Sequence, residues 1–202
     1  MKPILWGRIS STNVQKIIWA AKELNIDYDH QIVGGHYGGT HTEAFGMLNP
    51  NRTIPVWQDE EIILWESQAI LRYLARRSGK LYGTTQIETA LIDQWLDWNS
   101  TVFWPPIRLL YLEFYNPKRS TEGIKTAQDA IMKINSMLEL MNKQLQQYSF
   151  IAGNQFSLAD IVLAIALNRL QIMGFGTVLP HNLESWFYKL NQRPAFSEAV
   201  TN

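Results

Sequence analysis

The stretch NPNRTIPVWQDEEIILWES, residues 49–67, decides the fold. Two short apolar runs flank the turn residues QDEE, which is the pattern of a β hairpin. Pro55 has no N–H to give a ladder, so it must begin a strand, lie on an edge or sit in a turn. A cis bond between Ile54 and Pro55 would turn the backbone N–H and C=O of Ile54 outward, where an extended ligand could pair with them as an added strand. Spacing alone allows either isomer. Glu66 and Ser67 close the stretch and open a helix expected over residues 66–78, with Ile70, Leu71, Tyr73 and Leu74 facing inward. The pair can cap that helix. The same geometry also suits a ligand: free N–H groups and the positive end of the dipole attract a carboxylate, Ser67 Oγ adds a donor, and Glu66 accepts from an ammonium. That combination fits the zwitterionic end of an α-amino acid.

Toward the N-terminus, residues 3–9 are apolar enough for a buried strand, and Val14, Ile17, Ile18, Ala21 and Leu24 follow at helical spacing. YDHQIV, residues 28–33, alternates as a second strand, giving a βαβ unit with a parallel pair. A glycine-rich loop, GGHYGGTHT, and a short helix around Glu43 to Leu48 lead into the hairpin. The first part therefore reads βαβ then ββα, over residues 1–79. GKLYGTTQ, residues 79–86, has linker composition. Beyond it the strand signal disappears. Residues 87–116, 121–147, 157–173 and 183–192 carry helical periodicity, so an all-α domain is expected over residues 87–202. Within it, Ser157 and Asp160 of FSLAD fit a capping box, a folding element without chemistry.

The 202 residues suffice for a sizeable core, and 46% apolar with 18% charged residues is ordinary globular composition. Eighteen basic residues balance eighteen acidic ones, so no net field favours nucleic acid. The RYLARRSGK stretch, Arg72 to Lys80, reads as the solvated end of a helix. The chain has no cysteine, which excludes disulfides, a thiolate nucleophile and most structural zinc sites. Any sulfur chemistry must come from a ligand. The N-terminus lacks a signal-peptide core and no window reaches 18 uninterrupted apolar residues, so a cytoplasmic protein with no membrane segment is expected. GGHYGG is not followed by the Lys-Ser/Thr of a P-loop, no GxSxG or HExxH occurs, and four scattered histidines without cysteine argue against a metal site.

Taken together, these residues resemble the cytosolic glutathione transferases. The match rests on serine after the first strand, NPNRTIPVW into a hairpin, WESQAILRYLA on the third helix, an α-helical second part, FSLADIVLA and a closing RPAF. It spans nearly the whole chain. The resemblance implies a thioredoxin-like N-terminal α/β domain, an all-α helical C-terminal domain, a homodimer, and a detoxifying transferase using glutathione as co-substrate with no other cofactor and a small apolar electrophile. It implies a cis Pro55, with Ile54 pairing through its backbone with the cysteinyl unit. Glu66 and Ser67 would hold the γ-glutamyl end. For the glycyl carboxylate, Arg52 and His41 are the nearest candidates, although Arg52 stands where glycine is usual.

The resemblance also gives a role to GRISSTN, residues 7–13. Alignment with serine-type members such as the theta class puts Ser11 at their catalytic serine. A thiol of pKa about 8.5 is only a few per cent ionised at neutral pH, and lowering it by two units takes about 2.7 kcal/mol. A hydroxyl donor and a helix N-terminus can together supply that. Asn13 matches the asparagine of a bacterial group with a Thr-Pro-Asn motif, whose members favour disulfide reduction and peroxidase-like chemistry. Ser10 and Thr12 flank the pair, and at least one of the four is expected to cap the helix.

The electrophile would meet WLDWNSTVFWPPIRLLYLEFY, residues 95–115, whose aromatics mostly serve the core. Trp104 is the pocket candidate, because Pro105 and Pro106 must break or kink the helix beside it. Three readings follow: a transferase for apolar or aromatic electrophiles, a glutathione-dependent disulfide reductase or peroxidase at the same site, and a non-catalytic binding or assembly module.

Overall fold

Four strands of three residues each, β1 (Ile4–Trp6), β2 (Asp29–Gln31), β3 (Val56–Gln58) and β4 (Ile63–Trp65), form one mixed sheet in the order β2-β1-β3-β4. The computed structural model describes residues 2–115, 121–174 and 178–200, without the side chains at 114 and 121. β1 and β2 run parallel, joined through helix α1 (Thr12–Glu23), and β3 runs antiparallel to both β1 and β4. A short helix α2 (Glu43–Leu48) precedes β3, and α3 (Ser67–Ser78) follows β4. The expected βαβ-ββα order is present, with strands shorter than the apolar runs suggested. Asp59 closes the hairpin turn: its Oδ1 accepts from the N–H groups of Glu61 and Ile62, both at 3.0 Å. An aspartate in that role explains why QDEE turns rather than extends.

The helical part contains α4 (Gln86–Trp98), α5 (Trp104–Phe114), α6 (Thr121–Gln147), α7 (Leu158–Ile172) and α8 (His181–Asn191). A helix expected over 87–116 is interrupted by a π turn, Asn99–Phe103, where the Trp104 N–H bonds to the Asn99 carbonyl. The prolines explain it. Pro105 and Pro106 lack N–H groups and their rings crowd the preceding turn, so the helix widens ahead of them rather than breaking. Asn116, the last residue of that expectation, lies outside the described residues.

α7 is buried from Leu158 to Leu167, as befits a helix apolar on every side. Asp160, also fully buried, fixes its start. Oδ2 accepts from the N–H and hydroxyl of Ser157, at 2.9 and 3.2 Å, while Oδ1 accepts from the Ile151 N–H and Trp186 Nε1, at 3.0 and 2.9 Å. Burial pushes this carboxyl up, against the pull of all four donors. Asn142 performs a similar service for α8, its Oδ1 accepting from the N–H groups of Asn182 and Leu183.

The final helix, α9 (Pro194–Val200), departs from the expected division. One compact unit comprises Met1–Tyr82 together with Gln192–Asn202, the other Gly83–Asn191. The segment assigned by periodicity to an 87–202 domain thus ends at Asn191, and α9 packs on α1. Arg193, just before α9, grips Glu23 of α1 with two hydrogen bonds, Nε to Oε1 at 2.7 Å and Nη2 to Oε2 at 2.6 Å. Trp19 donates to the same Oε1 at 2.9 Å and meets Phe196 edge-on at 4.9 Å. With α9 on one side and α3 packed against it as well, α1 is buried without a break from Val14 to Ala21. The helical spacing of Val14, Ile17, Ile18 and Ala21 accounts for only part of that burial.

Two outcomes follow from these contacts. Asp160→Ala strands four donors in a dry interior and should lower unfolding free energy by about 3 kcal/mol, read from urea denaturation. Burial raises the Glu23 carboxyl, but the bonds from Arg193 and Trp19 outweigh it, so the folded value lies below the ordinary 4.5. The stability this gives is complete above 4.5 and is lost as pH falls through the depressed folded value. Arg193→Ala should flatten that part of the pH–stability curve.

Candidate active site

Strand register builds the site. Trp6 pairs with Gln31 on one side and Val56 on the other, and Val56 pairs with Trp65, so four residues stand in a row across the sheet. Just beyond that row β1 runs into Gly7–Asn13, β2 into the glycine-rich loop, β4 into Glu66 and Ser67, and the chain enters β3 through Ile54 and Pro55. The first-domain segments singled out from sequence as ligand candidates therefore emerge at one edge, opposite the QDEE turn.

The Ile54–Pro55 bond is cis. Ile54 lies outside the ladder, whose last pair here is Trp6 with Val56. Its side chain packs on two glycines. A Cβ at Gly7 would sit 3.3 Å from Ile54 Cβ and 2.5 Å from Val14 Cγ2, and one at Gly34 would sit 3.1 Å from Ile54 Cδ1. Only glycine lets the three loops close this tightly, and Gly7 also takes φ +151°. His30 Nε2 lies 2.8 Å from the Gly7 carbonyl. A carbonyl only accepts, so Nε2 carries the proton; burial lowers the His30 pKa against this bond, which favours the neutral ring.

Ser11 occupies the N-cap position of α1 at φ −79°, ψ 122°, yet its side chain makes no capping hydrogen bond. Of the four residues from which at least one cap is expected, Ser11 takes the position in backbone only: its C=O accepts from Gln15 N–H at 2.9 Å, and its hydroxyl makes no capping bond. Ser10 is exposed and Thr12 buried. Asn13 is half-buried, and its Oδ1 accepts from Lys16 Nζ at 3.0 Å. Lys16 is only 2% exposed, and burial pushes its ammonium down to about 8 while the charge of Glu66 lifts it. Helical periodicity put Val14, Ile17 and Ile18 inside but passed over the lysine between them. A lysine within an apolar run was the signal that could have marked it.

Glu66 is exposed and takes φ +71°, a conformation that costs a non-glycine residue about 1 kcal/mol. It also makes no capping bond. Ser67, the first residue of α3, is 5% exposed. Arg52 likewise stands at positive φ, +54°, which is why glycine suits its position. Its guanidinium is occupied: Nη1 donates to the Thr42 carbonyl at 2.7 Å and the Thr40 carbonyl at 3.4 Å, and Nη2 lies over Gly46. His41 is exposed in the segment so braced. Trp104 belongs to the other unit, half-buried at the first position of α5. Among the described residues no three His, Asp or Glu side chains cluster as metal ligands, and no helix is long and apolar enough to cross a membrane.

Known proteins share this framework. The family model for the glutathione S-transferase N-terminal domain matches residues 10–77, and that for the C-terminal domain matches residues 101–194. The chain is 32% identical over 200 residues to glutathione S-transferase GstB of Escherichia coli strain K12, covering 97% of this chain and 96% of that protein. It is similar, at TM-score 0.88 and 32% identity over 99% of this chain and 97% of the other, to the theta class glutathione S-transferase of Xanthomonas axonopodis pv. citri with glutathione bound. It is also 30% identical, over 79% of its length, to 39% of probable elongation factor 1-gamma 1 of Arabidopsis thaliana. With sequence similarity along both units and the site's segments gathered at one sheet edge, this chain belongs to the glutathione S-transferase family.

Proposed function

We propose that the protein ionises the thiol of glutathione at the start of α1 and delivers the thiolate to apolar electrophiles. One observation carries this reading: Ser11 sits at a helix N-cap with its hydroxyl unused by the helix, on the same sheet edge as cis Pro55 and the Glu66–Ser67 turn. Ile54, beyond the last ladder pair, has a backbone suited to pairing with the cysteinyl unit of an extended peptide. Glu66 accepts from the γ-glutamyl ammonium, and Ser67 at the N-terminus of α3 donates to the α-carboxylate. Arg52 braces the Thr40–Thr42 segment through its carbonyls, leaving His41 as the side chain that meets the glycyl carboxylate.

The chemistry asks little of the protein. Ser11 Oγ donates to sulfur, the thiol proton leaves to water, and the thiolate forms a C–S bond as the electrophile's leaving group departs with its electron pair. Holding both partners supplies proximity. Trp104 is the side chain assigned to the electrophile, which is therefore apolar or aromatic, in keeping with a detoxifying role. A homodimer suits the exposed apolar side chains of β4, Ile63 being 44% and Trp65 38% exposed. A cytoplasmic setting supplies the co-substrate. The second reading, disulfide reduction with the same thiolate, is favoured by Asn13, whose amide oxygen is already held by Lys16.

Ser11→Ala should cut kcat/KM for a chlorinated nitroaromatic about 10²-fold, the usual loss for one donor to a developing anion. A protein that turns over hydroxyethyl disulfide far faster than the nitroaromatic belongs to the second reading, and one that fails to bind immobilised glutathione at millimolar concentration belongs to neither. Trp104→Ala should raise KM for aromatic electrophiles several-fold while leaving that for glutathione in place. Unchanged kinetics with every electrophile would remove Trp104 from the pocket.

A further inference from the structure

Lys16, on the second turn of α1, is the one ionisable side chain in the helix's buried stretch from Val14 to Ala21. A charge so placed is costly unless paired or hydrogen-bonded. Three residues along a helix brings it over Asn13, and its Nζ donates to Asn13 Oδ1 at 3.0 Å. An ammonium has three donors and no acceptor, so it dictates which end of the amide it meets. Oδ1 faces Lys16, and Nδ2 with its two hydrogens faces the other way. The reverse rotamer would set two sets of donors against each other.

We propose that Lys16 is a positioning residue: by holding Asn13 Oδ1 it turns the Nδ2 donors of Asn13 to the sulfur of glutathione, beside the hydroxyl of Ser11. The inference rests on the transferase reading above and deepens it, making the sulfur site a pair of donors of which one is aimed from behind. An untethered amide would present Oδ1 to the thiolate in part of the population, and lone pairs facing an anion raise the thiol's pKa. Glu66, at the start of α3, acts on Lys16 through its charge, which lifts the ammonium. The charged groups brought by the α9 segment, Arg193 and Glu198, meet Glu23 and Lys22 at the far end of α1.

The test reads the pKa of enzyme-bound glutathione from the ultraviolet absorbance of its thiolate in the unaltered protein, Lys16→Met, Asn13→Ala and the double variant. Each single change should raise that pKa by about one unit, a tenfold loss of thiolate below it. Lys16→Met should add nothing further once Asn13 is gone. The same variant should resist urea as well as the unaltered protein, because an apolar chain of similar length replaces a buried charge. Loss of activation without loss of stability is what a merely structural lysine does not produce. An unchanged thiol pKa in Lys16→Met overturns the proposal, as does an equal rise with and without Asn13, which would mean that the charge acts on sulfur directly. Should Lys16→Met fail to fold, Asn13→Ala, at a half-buried position, still decides: an unchanged thiol pKa overturns the proposal. An unaltered protein that binds no glutathione overturns the transferase reading itself, and this inference with it.

Discussion

The antiparallel pairing of Trp6 in β1 with Val56 in β3 sets the position of the first unit's candidate ligand-binding segments. Side chains alternate between faces with a period of two, so a slip of one residue would bury the wrong face of β3. It would also move Ile54 relative to the Gly7 turn, on which its side chain packs. With strands of only three residues, the pairing is pinned from both ends. Pro55 can give no N–H to extend the ladder past Val56, and Asp59 closes the turn beyond Gln58.

From that register comes the convergence of four chain segments, and from the glycines comes their closeness. Gly7 and Gly34 make room for Ile54, while His30 ties the Gly7 carbonyl from the neighbouring strand. The loop that presents Ser11 is thus held from two sides before α1 begins. α1 in turn is enclosed by α3 and by α9, the latter clasped through Arg193 and Glu23. This enclosure is what makes Lys16 an unusual residue. The same lysine on a solvated face would be a surface charge of no consequence, whereas here burial and the bond to the Asn13 amide oxygen give it a direction.

Much of this was legible in the chain. The proline within TIPVW, the QDEE turn and the ES pair before a helical run each carry a local physical meaning, and those meanings agree with one another. The helices of the second unit announced themselves by period, and Asp160 by its place three residues after Ser157. Less was legible where a residue's role depends on a distant neighbour. Ser11 looks like a cap, yet its hydroxyl does not cap. Arg52 looks like a free cation, yet its guanidinium holds two carbonyls ten and twelve residues back. The prolines after Trp104 predicted a kink, and the helix answered with a wider turn.

The sequence by itself determined the secondary elements, the α/β-then-α order and the identity of the residues at the sheet edge, because periodicity, turn chemistry and capping act over a few residues. Only the tertiary structure decided that the last helix returns to the first unit, that Lys16 is buried, and that Asn13 is oriented by it. The Lys16–Asn13 bond spans only three residues, but the enclosure of α1 that buries it depends on contacts far apart in the chain, such as Glu23 with Arg193, whose separation of 170 residues leaves no local trace. Burial is decided by what packs against a helix, and no window of that helix's own sequence contains it.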